Sequence, residues 1–526
     1  MSLQSKHPLW MDRVDEWRRC RDVHEGEAKV KDKGKEYLRP TSGMIEDGCE
    51  SPEQPGWKAY DAYRHRARMP DMYREAVDAL VGVMHREPAI INLPSRMEFL
   101  RERATARGED LQALLRRINE EQMKIGRLGL LADVVDEGRG ERSGQPYVAI
   151  YEAEDVGNWD DGRRDGIEVD NLNLVIIDET GPERLTDFEW RDVEKYRVLM
   201  LSPPGQLGVQ ITSQEVSNEV VGDDSSVMNL PVGEGVYNVG VFREDTFSPS
   251  EMKAPSISGR ELNEIPFVFV NPKDLDADPD VPPMLGLCDD VLGIYRSEAD
   301  YRQALFMQGQ DTLHIADTNF GAETPVRTGA GAKIVTQSDG SVQFVGVDSS
   351  GLPEMRTGLE NDYARAEQKG AKLLRQMGND AESGEALRVR VAAQTATLSL
   401  IARTGAAAVQ RILRIIARWM GENANEVTVE PSLKFAEQAI EGRTVVDFTT
   451  AKNAGAPLSH ETIHEYYQDH NVTALSWEEE LGRLRAEASN GTNEIVEGMG
   501  GSGEADPEPE NPEPQPNPEP NSDPEA

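Results

Sequence analysis

A chain of 526 residues is long enough for two to four domains with a sizeable core, and 95 acidic against 56 basic side chains give it a formal charge of −39. That balance excludes a nucleic-acid reader that grips phosphates with a basic face. Three cysteines, Cys20, Cys49 and Cys288, have neither paired nor metal-ligand spacing, which fits a reducing compartment and excludes a disulfide framework.

The charge is unevenly spread. Residues 1–132 hold 24 Lys/Arg against 23 Asp/Glu, and the acidic excess follows them. Met1 to Trp10 has no apolar run before a cleavage site, so no signal peptide is expected. No stretch approaches the ~20 apolar residues of a membrane span. The chain is therefore expected to be made in soluble form in the cytoplasm, with no membrane partner.

Residues 1–70 mix charge with scattered aromatics (Trp10, Trp17, Tyr37, Trp57, Tyr60, Tyr63), as helices and loops lying on a larger body would. An amphipathic helix is predicted over Asp71–Arg86, with Ala76, Leu80, Val83 and Met84 on one side, and two more near Ser95–Arg107 and Asp110–Asp136. After Gly138 the period turns to alternation. Tyr147–Tyr151, Leu174–Ile177, Tyr196–Leu201, Val236–Phe242 and Ile265–Val270 predict one mostly antiparallel sheet between about residues 140 and 272, with Ser213–Gly233 a mobile loop.

Past Pro282-Pro283 the pattern predicts a helix over Leu285–Gln308, then two short strands, Lys333–Thr336 and Val342–Val345, joined by the turn Asp339-Gly340. A second helix, Leu352–Met377, interleaves charges of both signs with small residues. The run Gly378-Asn379-Asp380-Ala381-Glu382-Ser383-Gly384-Glu385 breaks it, because glycines bracket a loop that neither helix nor strand favours. From Ala386 a helix of about 35 residues, a rod of ~50 Å, carries a lengthwise seam (Leu398, Ile401, Gly405, Ala408, Ile412, Ile415, Trp419) and six arginines without a carboxylate (Arg388, Arg390, Arg403, Arg411, Arg414, Arg418), expected to pair with acidic surroundings.

Short β-like sequence spans Ala424–Leu433. Thr444–Lys452 leads to a helix capped by Ser459, and a last helix runs from Ser476 to about Ala488. Gly491–Ala526, with eight prolines, ten carboxylates and no Lys or Arg, is expected to be disordered.

Two motifs invite chemistry. His460-Glu461-Thr462-Ile463-His464 matches H-E-x-x-H, with His470 at the place of a third zinc ligand, but the extended motif needs glycine where Tyr467 stands. The reading is a surface helix rather than a metal site, with a zinc-dependent hydrolase as the alternative. Gly329-Ala330-Gly331-Ala332-Lys333 lacks the spacing and following Ser/Thr of a phosphate loop. No catalytic residue, metal ligand or cofactor is therefore assigned, and no enzyme is expected.

Helix, short loop and long helix, preceded by Leu287-Cys288-Asp289-Asp290-Val291-Leu292-Gly293-Ile294-Tyr295-Arg296-Ser297-Glu298-Ala299-Asp300-Tyr301 and containing Glu382-Ser383-Gly384-Glu385-Ala386-Leu387, resemble the core of the portal proteins of tailed bacteriophages. Trp17-Arg18-Arg19-Cys20-Arg21-Asp22 and Val77–Pro88 look like the family's opening, and the resemblance covers about residues 7–485. It implies an α+β portal fold: a wing over 1–284, a first stem helix over 285–310, a clip over 311–351, a second stem helix over 352–377, a tunnel loop over 378–385, a long wing helix over 386–421, and a crown over 422–490 before the tail. It implies a ring, of twelve subunits in most of the family, at one capsid vertex of the virion, through which double-stranded DNA is packaged and ejected without sequence preference. The implied partners are further copies of the chain, the terminase large subunit, a head-tail adaptor, and the major capsid and scaffolding proteins. Lys369, Lys372 and Arg375 would be channel cations or intersubunit ion-pair partners. The other alternative is a different virion connector.

Overall fold

The computed structural model describes residues 2–135, 144–162, 172–202, 235–309 without 244, 258 and 259, then 312–316, 335–336, 339–345, 350–371, 384–433, 435, 450–452, 454, 459–469, 473 and 475–486. Helix and strand are mixed along the chain, in the α+β manner. The framing helices are α1 (Pro8–Glu25), α2 (Pro55–Arg66), α3 (Met72–Met84), α4 (Leu111–Lys124), α5 (Leu285–Gln308), α6 (Leu352–Ala371), α7 (Gly384–Met420) and α8 (His460–Asp469). The strands that matter are β1 (Ile90–Asn92), β2 (Leu128–Val134), β3 (Pro146–Glu152), β4 (Val156–Asp160), β5 (Leu174–Asp178), β6 (Gly181–Arg184), β7 (Trp190–Val193), β8 (Tyr196–Ser202), β9 (Val236–Phe242), β10 (Phe267–Val270), β11 (Thr312–Ala316), β12 (Ser341–Val345) and β13 (Thr428–Glu430). Two units divide it, Met1–Ala436 and Glu437–Ala526.

In the first unit an antiparallel sheet, ordered β10-β2-β3, lies between two hydrophobic cores. Side chains alternate across a strand, so Leu131, Phe267 and Phe269 face one core while Leu128, Leu130, Val268 and Val270 face the other. The first core gathers the aromatics of the N-terminal helices, Trp17, Tyr60 and Tyr73 among them, with α5; the second gathers α4 and the C-terminal part of α7. Gly129 sits opposite Phe269, and a Cβ there would lie 2.2 Å from Cζ of Phe267. Only glycine leaves room for that ring.

A four-stranded antiparallel sheet, β4-β5-β8-β9, packs Val175, Ile177 and Leu199 on the first core and turns Ile176, Tyr196 and Val198 to a small third one. Between the two sheets Arg127 is fully buried, its guanidinium 4.6 Å from the ring of Trp159 and 4.1 Å from that of Phe269. Burial pulls it down to about 9, against the field of Asp278, Asp274 and Asp280 in the loop that leads to α5.

A chain of polar side chains crosses the second core and fixes α7 on α4. Thr404 Oγ1 donates to Gln122 Oε1 at 2.8 Å, Gln122 Nε2 to Asn119 Oδ1 at 3.1 Å, and Asn119 Nδ2 meets His85 Nε2 at 2.9 Å. Gly405 permits the approach, since a Cβ there would stand 2.1 Å from Asn119 Oδ1. Desolvation, helped by Arg116, pushes the His85 imidazole down to about 4.

Several expectations hold. The α3 and α5 helices lie where the periodicity puts them, α5 to the residue. Ser459 caps α8, accepting from Thr462 N at 2.9 Å, and Ser476 with Glu479 forms a reciprocal cap for the helix over 477–486.

Others are corrected. The predicted helix Asp110–Asp136 stops at Lys124, because Gly126 at φ +82° breaks it, and 128–134 is strand β2. Ser95–Arg107 is a 3-10 turn and a four-residue helix, Phe99–Glu102. The single sheet over 140–272 is, among the described residues, two larger sheets and two two-stranded ladders. In the small β insertion, β12 pairs with β11, a strand not foreseen, matching Thr312 to Val345 and Ala316 to Ser341, while Lys333 and Ile334 of the expected strand lie outside the described residues. Ser213–Gly233, Gly329–Lys333 and 491–526 lie outside the described residues.

Candidate functional site

The helix α5 leads two lives along its length. From Leu287 to Ala299 it is buried against α1, α2 and α3, with Leu287, Cys288, Val291, Ile294 and Tyr295 in the first core. Arg296 Nε donates to the Tyr37 carbonyl at 2.9 Å, and Tyr63 Oη donates to Asp300 Oδ1 at 2.5 Å. Beyond that anchor the helix runs out of cover: Leu305, Phe306 and Met307 are each about 40 % exposed (41 %, 40 %, 44 %).

Its partner α6 returns antiparallel. Tyr363 Oη donates to Glu298 Oε1 at 3.1 Å, and a helical turn or two further Lys369 Nζ reaches Asp290 Oδ2 at 2.5 Å and the Gly286 carbonyl at 3.2 Å. Glu298, only 5 % exposed, also takes Arg302 Nε at 2.5 Å, so one buried carboxylate ties both helices. Burial, with Glu298 beside it, holds the Tyr363 phenol up at about 12.

Among its described side chains α6 buries only Leu359 and Ala366, seven residues apart. That is one narrow seam along a helix of 20 residues. Its other two cations are matched within the helix: Arg356 to Glu360 at 2.8 Å and Arg365 to Asp362 at 3.2 Å. The outer ends of the pair, between which β11 and β12 form their two-stranded ladder, expose Met355, Val342 and Phe344, the last at 63 %.

The site residues foreseen from the sequence fare unequally. Lys369, foreseen as a channel cation or an intersubunit partner, is paired within the chain to Asp290. Lys372, Arg375 and Gly378, Asn379, Asp380, Ala381, Glu382 and Ser383 lie outside the described residues. Gly384 and Glu385, foreseen as loop, are the first residues of α7, which starts two residues before the expected Ala386. Of the six arginines, Arg418 pairs with Glu264 at 2.5 Å and Arg414 donates to the Val427 carbonyl at 3.3 Å.

The H-E-x-x-H stretch is structural. His464 is 4 % exposed, its Nε2 lies 3.0 Å from the Leu475 carbonyl, and its ring packs 5.4 Å from Trp477. A nitrogen held by a carbonyl must carry the proton that a metal would displace. Among the described residues no group of three or more His, Cys, Asp or Glu is placed to hold a metal ion. No described helix is long and apolar enough to cross a membrane.

The sequence reading did not single out Asp290, Glu298 and Tyr363 as the ties of the helix pair. The Glu298–Arg302 spacing of four was the one visible signal.

Comparison with known proteins gives three findings. A family model described as "Domain of unknown function (DUF4055)" matches residues 283–420, the span from α5 to the end of α7. No curated protein matches. Among solved structures, a chain in the neck of a native GTA particle, computed with C12 symmetry, is similar at 10 % identity and a TM-score of 0.32, over 74 % of this chain and 87 % of that one. A chain in the neck of an empty GTA particle, computed with C6 symmetry, is similar at 12 % identity and a TM-score of 0.34, over 76 % and 90 %.

Proposed function

We propose that the chain is a ring-forming virion connector, and within that class a portal protein: copies close around an axis, the α5–α6 pairs line a channel wide enough for duplex DNA, and the β11–β12 ends meet the packaging motor and the head-tail adaptor. The domain boundaries given above, from the wing over 1–284 to the crown over 422–490, are part of this proposal.

One observation carries it. Among its described side chains α6 buries a single seam, and the outer end of the α5–α6 pair is apolar, with Leu305, Phe306, Met307, Met355 and Phe344 uncovered. A lone chain gains nothing from that exposure, whereas neighbouring copies would cover it. The pairing of the described α6 cations Arg356, Arg365 and Lys369 within the chain supports the same reading, because it leaves that described stretch without an uncompensated cation on which phosphate would stick. The part of the protein in packaging is geometric: it holds a hole open, and ATP chemistry belongs to a separate motor.

Negative-stain images and mass photometry of the purified protein test the reading. Closed rings of one size are expected. Monomers or open filaments under every salt condition would overturn it.

A further inference from the structure

The hairpin of β6 and β7 carries no part of the proposed channel, yet it is built with care. Its strands pair Gly181 with Val193 through Arg184 with Trp190. The turn between them is closed by Leu185 N donating to the Glu189 carbonyl at 2.9 Å and by Thr186 Oγ1 accepting from Phe188 N at 3.3 Å and Glu189 N at 3.1 Å. Arg184 clasps the same turn, Nε donating to the Thr186 carbonyl at 3.1 Å. This fixed turn presents Phe188 at 94 % exposure, with Trp190 at 66 % and Leu185 at 55 % beside it. An aromatic tip held outward by hydrogen bonds loses little freedom when something covers it, and such rings dominate interface energetics.

The same unit carries a cavity of about 1260 Å³ between the β2–β3 and β8–β9 strands. Its lining includes Val134, Val239 and Val241, with Arg103, Lys195 and Lys253 around them. Its charged lining runs to four cations against two carboxylates, in a chain of formal charge −39. It is larger than the ~300–1,000 Å³ that a small molecule fills. Lys195 is taken by Glu179 at 3.1 Å, while among the described residues Arg103 and Lys253 make no ion pair. The hairpin has the opposite balance: Glu183 is paired with Arg243 at 3.3 Å and Asp187 with Arg184 at 3.6 Å, and among the described residues Glu189 and Asp192 are paired with nothing. Among the described residues the uncommitted charges of the tip, Glu189 and Asp192 with Arg191, are thus net negative, and those of the cavity, Arg103 and Lys253 with Glu251, net positive. The tip does not enter its own chain's cavity, since Phe188 is bare.

We infer that the β6–β7 tip of one copy docks in the β2–β3/β8–β9 cavity of a second copy, placing Phe188 on the valines and Glu189 and Asp192 by Arg103 and Lys253. The contact joins two different surfaces of the same chain, the kind that closes a ring when its rotation allows; only in the closure does it rest on the ring reading.

The test places cysteines at both surfaces, Phe188→Cys with Val241→Cys, in the full chain and oxidises with copper–phenanthroline. The three native cysteines are buried. A ladder of covalent multimers on a non-reducing gel is expected, absent from either single variant. Glu189→Lys should lower assembly on the order of tenfold, and Lys253→Glu added to it should restore assembly. Rings that give no ladder overturn the docking and leave the ring reading standing, with another protein as the occupant of the tip. A ladder that stops at dimers keeps the docking and removes the ring, and monomers without a ladder remove both. Should the double variant fail to fold, the charge exchange decides: no rescue by Lys253→Glu overturns the docking.

Discussion

The two halves of α5 set the body of the molecule against its projection. Around Val291 and Tyr295 the helix is covered by α1, α2, α3 and α6 at once, as a helix in a monomeric core should be. Around Phe306, the same helix has α6 on one line, the Arg66 guanidinium 4.1 Å above the ring, and an apolar remainder in water. Sequence continues through both halves with similar apolar content; what changes is how many elements of the same chain come to meet it. An apolar stripe therefore marks a surface that wants cover, and the fold alone says whether the chain supplies that cover itself.

Substitutions separate the two regions, beginning with the largest effect. Trp17→Ala empties a fully buried site in the first core, and a loss of about 3–5 kcal/mol of stability is expected from chemical denaturation. An effect under about 1 kcal/mol would mean that the body is not packed as described. Gly129→Val drives a side chain into the Phe267 ring and should cost about 1–3 kcal/mol, measured the same way; a neutral result would show that the ring can leave the divide between the two cores.

Acid sharpens the picture of the second core. His85 titrates lower in the folded chain than in the unfolded one, so the unfolded state binds more protons between pH about 6.5 and about 4, and stability drops as pH falls through that window. Asp155, raised to about 7 by burial beside Glu152 and Glu154, acts in the opposite sense. The prediction is thus a difference: the gap between wild type and His85→Gln should narrow, by roughly 1–2 kcal/mol after allowance for the partial exposure of the ring, as pH is lowered from 7 to 4. A constant gap would place the imidazole outside the polar chain of Asn119, Gln122 and Thr404.

The smallest effect on the monomer is expected at the projection. Phe344→Ser should change the stability of the isolated chain by no more than about 0.5 kcal/mol, yet lower its assembly in mass photometry. Equal assembly by both forms would make the exposed ring incidental.

How far the sequence carried can be judged from single elements. Leu285–Gln308 could be read to its ends because Pro282-Pro283 and a long periodic stripe bound it. Residues 128–134 deceived because Leu128, Leu130 and Leu131 satisfy a helical stripe continued from Leu111 as well as a strand buried on both faces; Gly126, the one breaker between them, was the signal to heed. β11 was missed because Thr312–Ala316 is short and its partner residues in β12 lie 25 to 33 positions further along the chain, whereas Lys333–Thr336 stands beside Asp339-Gly340 and Val342–Val345. Spacing put the histidines of H-E-x-x-H on one helix, but only the fold could show His464 given to the Leu475 carbonyl. The same holds for Lys369, whose charge was legible and whose partner, 79 positions away in Asp290, was not.

Hydroxyl-radical footprinting of the assembled and dissociated protein reads the uncovered end of the α5–α6 pair most directly. Phe306, Met307, Phe344 and Met355 should lose reactivity on assembly while Trp17 stays protected in both forms. Undiminished oxidation of those four side chains in the assembled particle would contradict the account.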